Sequence, residues 1–215
     1  MVMDGATHQR EQAGTAERNL SREKREAILD GAAEIFAARG YEGASMSMIT
    51  AAAGVSKGTI YQHFTGKAAL FGAAVGRECE RSLAPLFLSA DPTQDLPSTL
   101  RDIGQRFLAM LTSANCLAIE RTVHAEAERF PELAQAFFDA GPGRAIAMMS
   151  RLLTAHAARG ELRLEDPDFA AEQFFMLCQT GIMLRRRLGM AVHPGDLNRA
   201  VEGAVAVFLG AYKAR

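Results

Sequence analysis

The sequence predicts an all-α protein, and two observations lead to that prediction. Apolar residues recur every three or four positions over long stretches, which is the period of one helix face. Proline and glycine divide the chain into segments of about 15 to 22 residues, and no segment alternates apolar and polar residues over a strand's length. With 215 residues, of which 48% are hydrophobic and 23% charged, the chain can bury a core.

The first predicted helix begins at Ser21 and ends at Gly40. Ser21 is a favourable N-cap, and glycine is a common helix terminator. Between them apolar residues follow at helical spacing, namely Ile28, Ala32, Ile35 and Phe36. Residues 1–20 show no such periodicity and carry scattered charges, so a disordered leader is expected there.

Two short helices joined by a tight turn are predicted between Ser45 and Phe64. Gly54 can adopt the positive φ that the turn requires, and Ser56 can cap the second helix. Ile60 and Phe64 are four residues apart and should face the core. The other side chains of the second helix suit phosphates and base edges, and they are Lys57, Thr59, Tyr61, Gln62 and His63.

The charge pattern supports a local contact with a polyanion. Overall, 24 Lys and Arg against 25 Asp and Glu give a net charge of −1, which excludes a strongly basic nonspecific nucleic-acid binder. Between Gly43 and Arg77, however, there is neither Asp nor Glu to repel DNA. Lys67 begins the next predicted helix, where backbone N–H groups and a cation can together hold a phosphate.

The motif residues resemble the DNA-binding domain of TetR-type repressors. The resemblance rests on Gly40-Tyr41, residues 53–67 (AGVSKGTIYQHFTGK) and Leu70-Phe71, and it covers residues 22–70. It implies backbone or base contacts from Thr59, Tyr61, His63 and Lys67, while more variable positions set the sequence preference. Thr50 and Ala68 depart from the common residues without affecting these contacts. The candidate DNA-binding residues are Ser45, Lys57, Thr59, Tyr61, Gln62, His63 and Lys67.

A second resemblance covers the C-terminal part of the chain. Residues 126–133 (EAERFPEL), Gly141-Pro142, residues 160–162 (GEL) and residues 166–174 are similar to the AefR-type regulatory domain. The two resemblances together imply a homodimeric repressor of a palindromic operator, with a leader over residues 1–20, a DNA-binding domain over residues 21–66 and an effector and dimerisation domain over residues 67–215.

Residues in that second domain are candidates for the dimer interface and the effector site. Two long helices, at about residues 168–188 and 196–211, carry small and apolar residues that suit a four-helix interface. Met and Phe side chains are most simply core residues, but methionine-rich helices also repack around apolar ligands. The candidate ligand-binding residues are Phe107, Met110, His124, Phe138, Met149, Phe175 and Met176.

A metal site is a weaker interpretation of one stretch. Cys116, Glu120, His124 and Glu128 recur every fourth residue. Each such step drifts about 40° around a helix, so the first and last members lie roughly 120° apart and a solvated face is favoured. His124-Ala125-Glu126 is similar to the start of a zinc deaminase motif, but no P-C-x-x-C follows. Neither a metal nor a cofactor is expected.

Other functions remain as alternatives. No nucleophile elbow or phosphate-binding glycine loop is present, so the protein is not expected to be an enzyme. The competing hypothesis is a small helical enzyme that uses His124 and Glu128, and activation of transcription is an alternative to repression.

Residues 185–187 are three arginines, for which ion pairs are favoured over nucleic-acid binding. The absence of a long apolar stretch and of a signal-peptide core predicts a cytoplasmic protein with reduced cysteines and no membrane partner.

Overall fold

The structure, a computed structural model, describes residues 5–87 and 95–214. Within these ranges the chain forms eleven helices, and Leu162 and Lys213 form an isolated antiparallel bridge. None of these helices is long and apolar enough to cross a bilayer. The helices are α1 (Gly5–Gly43), α2 (Met46–Ala52), α3 (Lys57–His63), α4 (Lys67–Phe87), α5 (Leu96–Leu111), α6 (Ala114–Glu126), α7 (Pro131–Ala140), α8 (Pro142–Ala158), α9 (Pro167–Cys178), α10 (Ile182–Arg187) and α11 (Pro194–Tyr212). The predicted all-α fold is confirmed.

Helix α1 begins well before the predicted N-cap at Ser21. The sequence predicts a disordered leader over residues 1–20, whereas the backbone is helical from Gly5 onward, and residues 1–4 lie outside the described part. Residues 5–20 lack an apolar stripe but are rich in Ala, Glu, Gln and Arg, which have high helix propensity. At the other end, Gly40 has a non-helical backbone with φ 68°, which confirms the predicted break.

The chain divides into two compact units. The first comprises Met1–Val75 and His124–Ala136, and the second comprises Gly76–Val123 and Phe137–Arg215. Their border falls inside α4, beyond the border that the sequence suggests after residue 66. The first unit also includes a segment that the sequence assigns to the C-terminal domain.

The core of the first unit is built from α1 to α4. Of the apolar face predicted for α1, Ile35 is half-buried and the other three residues are buried. The rings of Phe36, Tyr41 and Phe71 pack together with centroids 5.0 to 5.9 Å apart. The fully buried aliphatic side chains of this unit include Ile28, Leu29, Ile49, Ile60 and Leu70.

The second unit packs α5, α8, α9 and α11 around a core of its own. Helices α5 and α9 begin where aspartate N-caps precede proline, because Asp95 and Asp166 each accept a backbone N–H at 2.9 Å. Most of the apolar stripe that the sequence predicts for the last helix is buried, and its first member, Leu197, is half-buried. The buried members are Val201, Ala204, Val205 and Phe208.

The long helix predicted over residues 168–188 is wrong, because the structure divides it into α9 and α10. Gly181 adopts a left-handed backbone with φ 68°, which a helix cannot continue through. The hydroxyl of Thr180 also donates to the carbonyl of Leu177 at 2.6 Å. The apolar periodicity continues across this break, which explains why the sequence pattern did not reveal it.

Candidate nucleic-acid interface

Serine hydroxyls cap both helices of the helix-turn-helix motif. Ser45 Oγ accepts the N–H of Met48 at 3.2 Å at the start of α2. Ser56 Oγ accepts the N–H of Thr59 at 3.1 Å at the start of α3. Between the helices Gly54 has φ 63°, as the turn requires. The cap and the turn glycine predicted from the sequence are both confirmed.

Helix α3 divides into a core face and an outer face as predicted. Ile60 is fully buried and Phe64 is 6% exposed. The side chains predicted for the outer face are exposed or half-buried: Lys57, Tyr61 and Gln62 are exposed, whereas Thr59 and His63 are half-buried.

The outer face offers donors and acceptors without negative charge. Tyr61 is 48% exposed, and its phenol can donate to a phosphate oxygen. The Gln62 amide suits the paired donor and acceptor of an adenine edge. Ser45 uses an oxygen lone pair for its cap, so its hydroxyl hydrogen remains available for a phosphate. This chemistry fits a duplex groove and its backbone.

A close contact between α1 and the motif escaped the sequence-based prediction. A Cβ atom added at Gly31 would lie 2.8 Å from the backbone nitrogen of Ala53, a distance that real Cβ atoms essentially never show. Gly31 therefore allows α1 to approach the interhelical turn. The available signal was a glycine inside the apolar face of α1.

Lys67, implied by the resemblance to contact DNA, is bonded to the protein in this structure. Its Nζ donates to carbonyl oxygens of residues 41, 42 and 44. The same atom lies 4.5 Å from the ring centroid of Tyr41 and 6.0 Å from that of Phe130. The structure thus engages the Lys67 ammonium with the backbone of residues 41–44.

Residues 124–136 contribute to the unit that carries the motif. The rings of Phe130 and Tyr41 meet edge to face with centroids 5.0 Å apart. Arg129 pairs with Glu42 at 2.6 Å, with both side chains more than half exposed. Because these contacts join distant parts of the sequence, no local pattern indicated them.

The seven predicted ligand-binding residues do not share one environment. Phe107, Met149 and Phe175 lie in the core of the second unit, with Met110 packed against it. The Phe107 and Phe175 rings have centroids 4.4 Å apart. The other three differ: Phe138 is 51% exposed, Met176 is 56% exposed, and exposed His124 belongs to the first unit.

Two of the three arginines of α10 form the ion pairs that the sequence predicts, whereas the third bonds to a backbone carbonyl. Arg185 pairs with Asp196 at 3.4 Å, Arg186 donates to the carbonyl of Thr112 at 2.9 Å, and Arg187 pairs with Glu120. These bonds connect α10 to α11, to the end of α5 and to α6.

The metal interpretation of the Cys116 stretch gains no support. Glu120 is engaged by Arg187, and burial raises the pKa of the Cys116 thiol to about 11, which disfavours the thiolate that a metal needs. Across the ranges that the structure describes, His, Cys, Asp and Glu side chains form no group of three suited to a metal ion.

Family models match two parts of the chain. Residues 28–74 match the model described as bacterial regulatory proteins, tetR family. Residues 98–214, more than half of the chain, match the AefR-like transcriptional repressor C-terminal domain. The chain belongs to the TetR family of transcriptional regulators. Because this family consists of regulators rather than enzymes, the alternative of a helical enzyme is set aside.

Solved structures of other TetR regulators resemble most of this chain. The Flavonoid-responsive Regulator FrrA is 31% identical, with a TM-score of 0.78 over 89% of this chain and 98% of that one. A putative TetR-family regulator from Mesorhizobium loti is 28% identical, with a TM-score of 0.76 over 90% of this chain and 98% of that one.

Curated relatives match over shorter stretches. The activator FasR of Mycolicibacterium smegmatis is 35% identical over 40% of this chain and 39% of its own length. The regulator UidR of Escherichia coli K12 is 44% identical over 26% of this chain and 29% of its own length. The repressor KstR of M. smegmatis is 42% identical over 28% of this chain and 29% of its own length.

Proposed function

We propose that this TetR regulator is a repressor that binds a palindromic operator as a homodimer and is released by a small apolar effector. The observation that carries the proposal is the outer face of α3, which presents uncharged donors and one lysine from a doubly capped helix-turn-helix. Since its target is chromosomal DNA, the protein acts in the cytoplasm.

The proposed DNA contacts divide by chemistry. Ser45, Thr59, Tyr61 and His63 carry hydroxyl or imidazole groups that suit phosphate oxygens, which position the protein on the duplex. Lys57 and Gln62 are exposed at opposite ends of α3. We assign Lys57 to a phosphate and Gln62 to a base edge. Gln62 then sets sequence preference through an adenine.

The proposed dimer interface uses α9 and α11. Both helices expose large apolar side chains, since Phe169 is 52%, Met176 is 56% and Val207 is 57% exposed. In the proposed dimer a partner copy covers these apolar side chains and removes them from water. Gly203 and Gly210 have open space around their Cβ positions, so the partner helix can approach α11 closely.

The proposed effector site centres on Phe107 and Phe175 and includes Met110 and Met149 from the same apolar core. Two aromatic rings in van der Waals contact can separate to take a flat aromatic ligand, and methionine side chains adapt to its shape. The neighbour FrrA is named as flavonoid-responsive, so flavonoids with few hydroxyl groups are the first compounds to test. An effector that binds a non-DNA-binding state better shifts the dimer toward that state.

A gel shift with DNA upstream of the gene tests this proposal. The regulator should bind one upstream fragment at nanomolar concentration in physiological salt, with random DNA of equal length at least a thousandfold weaker. Equal binding to both would refute operator recognition. Effector at a hundredfold excess over its Kd should stabilise the protein by about 2.7 kcal/mol and release the fragment over the same concentration range.

The direction of regulation has one alternative. The name of FasR is that of an activator, whereas the name of KstR is that of a repressor. A promoter-fused reporter distinguishes the two. Deletion of the gene should raise reporter output for a repressor and lower it for an activator.

A further inference from the structure

Lys67 is bonded where the helix-turn-helix motif begins. Its ammonium donates to three main-chain carbonyl oxygens, those of Tyr41 at 2.8 Å, Glu42 at 3.4 Å and Ala44 at 3.1 Å. An ammonium carries three N–H donors, so each donor has an acceptor here. A phosphate oxygen that bonded directly to Lys67 would compete with these carbonyls for the three donors.

The three acceptors lie at the end of α1 and just before Ser45, the N-cap of α2. Carbonyls at a helix C-terminus lack helical partners, and the helix dipole favours a cation there. Lys67 itself begins α4, directly after the motif. One side chain therefore ties the chain entering the motif to the chain leaving it.

The rings of Tyr41 and Phe130 lie next to the Lys67 ammonium. Lys67 Nζ lies 4.5 Å from the Tyr41 ring centroid and 6.0 Å from that of Phe130, within the range of cation–π attraction. Phe130 also packs edge to face on Tyr41, which is only 2% exposed. The Phe130 ring thus contacts both Lys67 and Tyr41, and the Tyr41 carbonyl is one of the three that accept from Lys67.

We propose that Lys67 is a positioning residue that holds the two ends of the helix-turn-helix together, and that Phe130 stabilises this hold. The inference rests on the proposed function, because the Lys67 hydrogen bonds determine the orientation in which α3 contacts DNA. The segment His124–Ala136 that carries Phe130 continues at both ends into the chain of the second unit. Phe130 itself meets Tyr41 and Lys67 through non-covalent contacts inside the first unit.

Operator affinity measured against salt concentration tests this assignment. Fluorescence anisotropy with the upstream fragment compares the full-length wild type with K67A, F130A and the matched control K57A, which removes an exposed lysine. K57A should make the slope of log K against log salt shallower by about 0.9 per contact, hence by about two per dimer. K67A and F130A should weaken binding by about tenfold at every salt concentration while keeping the wild-type slope.

Conservative variants and a double variant separate positioning from general damage. F130Y keeps the ring and should restore affinity, and K67A/F130A should bind no more weakly than K67A because both changes break one hold. Circular dichroism checks folding, and if K67A does not fold, the contrast between F130A and F130Y decides. A K67A slope that is shallower by about two, or wild-type affinity in F130A, would overturn the proposal. A wild type that prefers no upstream DNA would refute the proposed function itself.

Discussion

At the scale of single residues, Gly31 determines how closely α1 approaches the interhelical turn. An alanine Cβ there would meet the backbone nitrogen of Ala53 at 2.8 Å, and backbone cannot move away cheaply. Gly31→Ala should therefore destabilise the protein by about 1 to 3 kcal/mol, although alanine normally favours a helix. Urea unfolding followed by circular dichroism measures the change.

Gly58 provides the matched control for Gly31. Its added Cβ would lie 3.7 Å from Ser56 Oγ, which is ordinary contact. Gly58→Ala should leave stability unchanged or raise it by up to about 1 kcal/mol. Equal stabilities of Gly31→Ala and the wild type would show that the close approach is absent in solution.

The cysteine thiols give a pH-dependent prediction. Burial raises the pKa of Cys79 and Cys116 to about 11 and that of Cys178 to about 12. Only the thiolate attacks a disulfide reagent, so at neutral pH the folded protein should react roughly a hundredfold more slowly than free cysteine. Reaction should accelerate as the pH rises toward 11 or when urea unfolds the chain. A thiol in the native protein that reacts as fast as free cysteine would contradict this account.

At the scale of elements, the sequence predicted the motif well because its determinants are local. Gly54, Ser56 and Ile60 act within one turn and one short helix, so their types and spacing suffice. The environments of the candidate ligand-binding residues were harder to predict. Phe138 and Phe175 have the same side chain, yet tertiary packing exposes the first and buries the second. Likewise, only long-range contacts join residues 124–136 to the first unit.

The exposed face of α11 supports a prediction about assembly. Val207 is 57% exposed, and a glutamate there would bury an unpaired charge in the proposed dimer interface. Val207→Glu should convert the dimer to a monomer at micromolar concentration, as measured by analytical ultracentrifugation. Phe138→Glu is the matched control, because Phe138 is similarly exposed on α7 and should leave the dimer intact. A dimeric Val207→Glu variant would place the interface elsewhere.

At the scale of the whole molecule, the small number of cations near the motif supports the proposed dimer as the DNA-binding form. The chain has a net charge of −1, and the stretch from Gly43 to Arg77 contains only three cations, Lys57, Lys67 and Arg77. So few cations release few counterions, which limits the affinity of a single motif for DNA. Two motifs on one dimer double both the electrostatic contacts and the number of bases that are read.

A footprint of the upstream fragment tests the central claim most directly. We predict protection of two inverted half-sites whose centres lie about 34 to 36 Å apart along the duplex, or a multiple of that spacing, because two α3 helices of a dimer enter successive major grooves. Both half-sites should become protected over the same range of protein concentration. Protection of one isolated half-site by a monomer, or uniform protection without regard to sequence, would contradict the account.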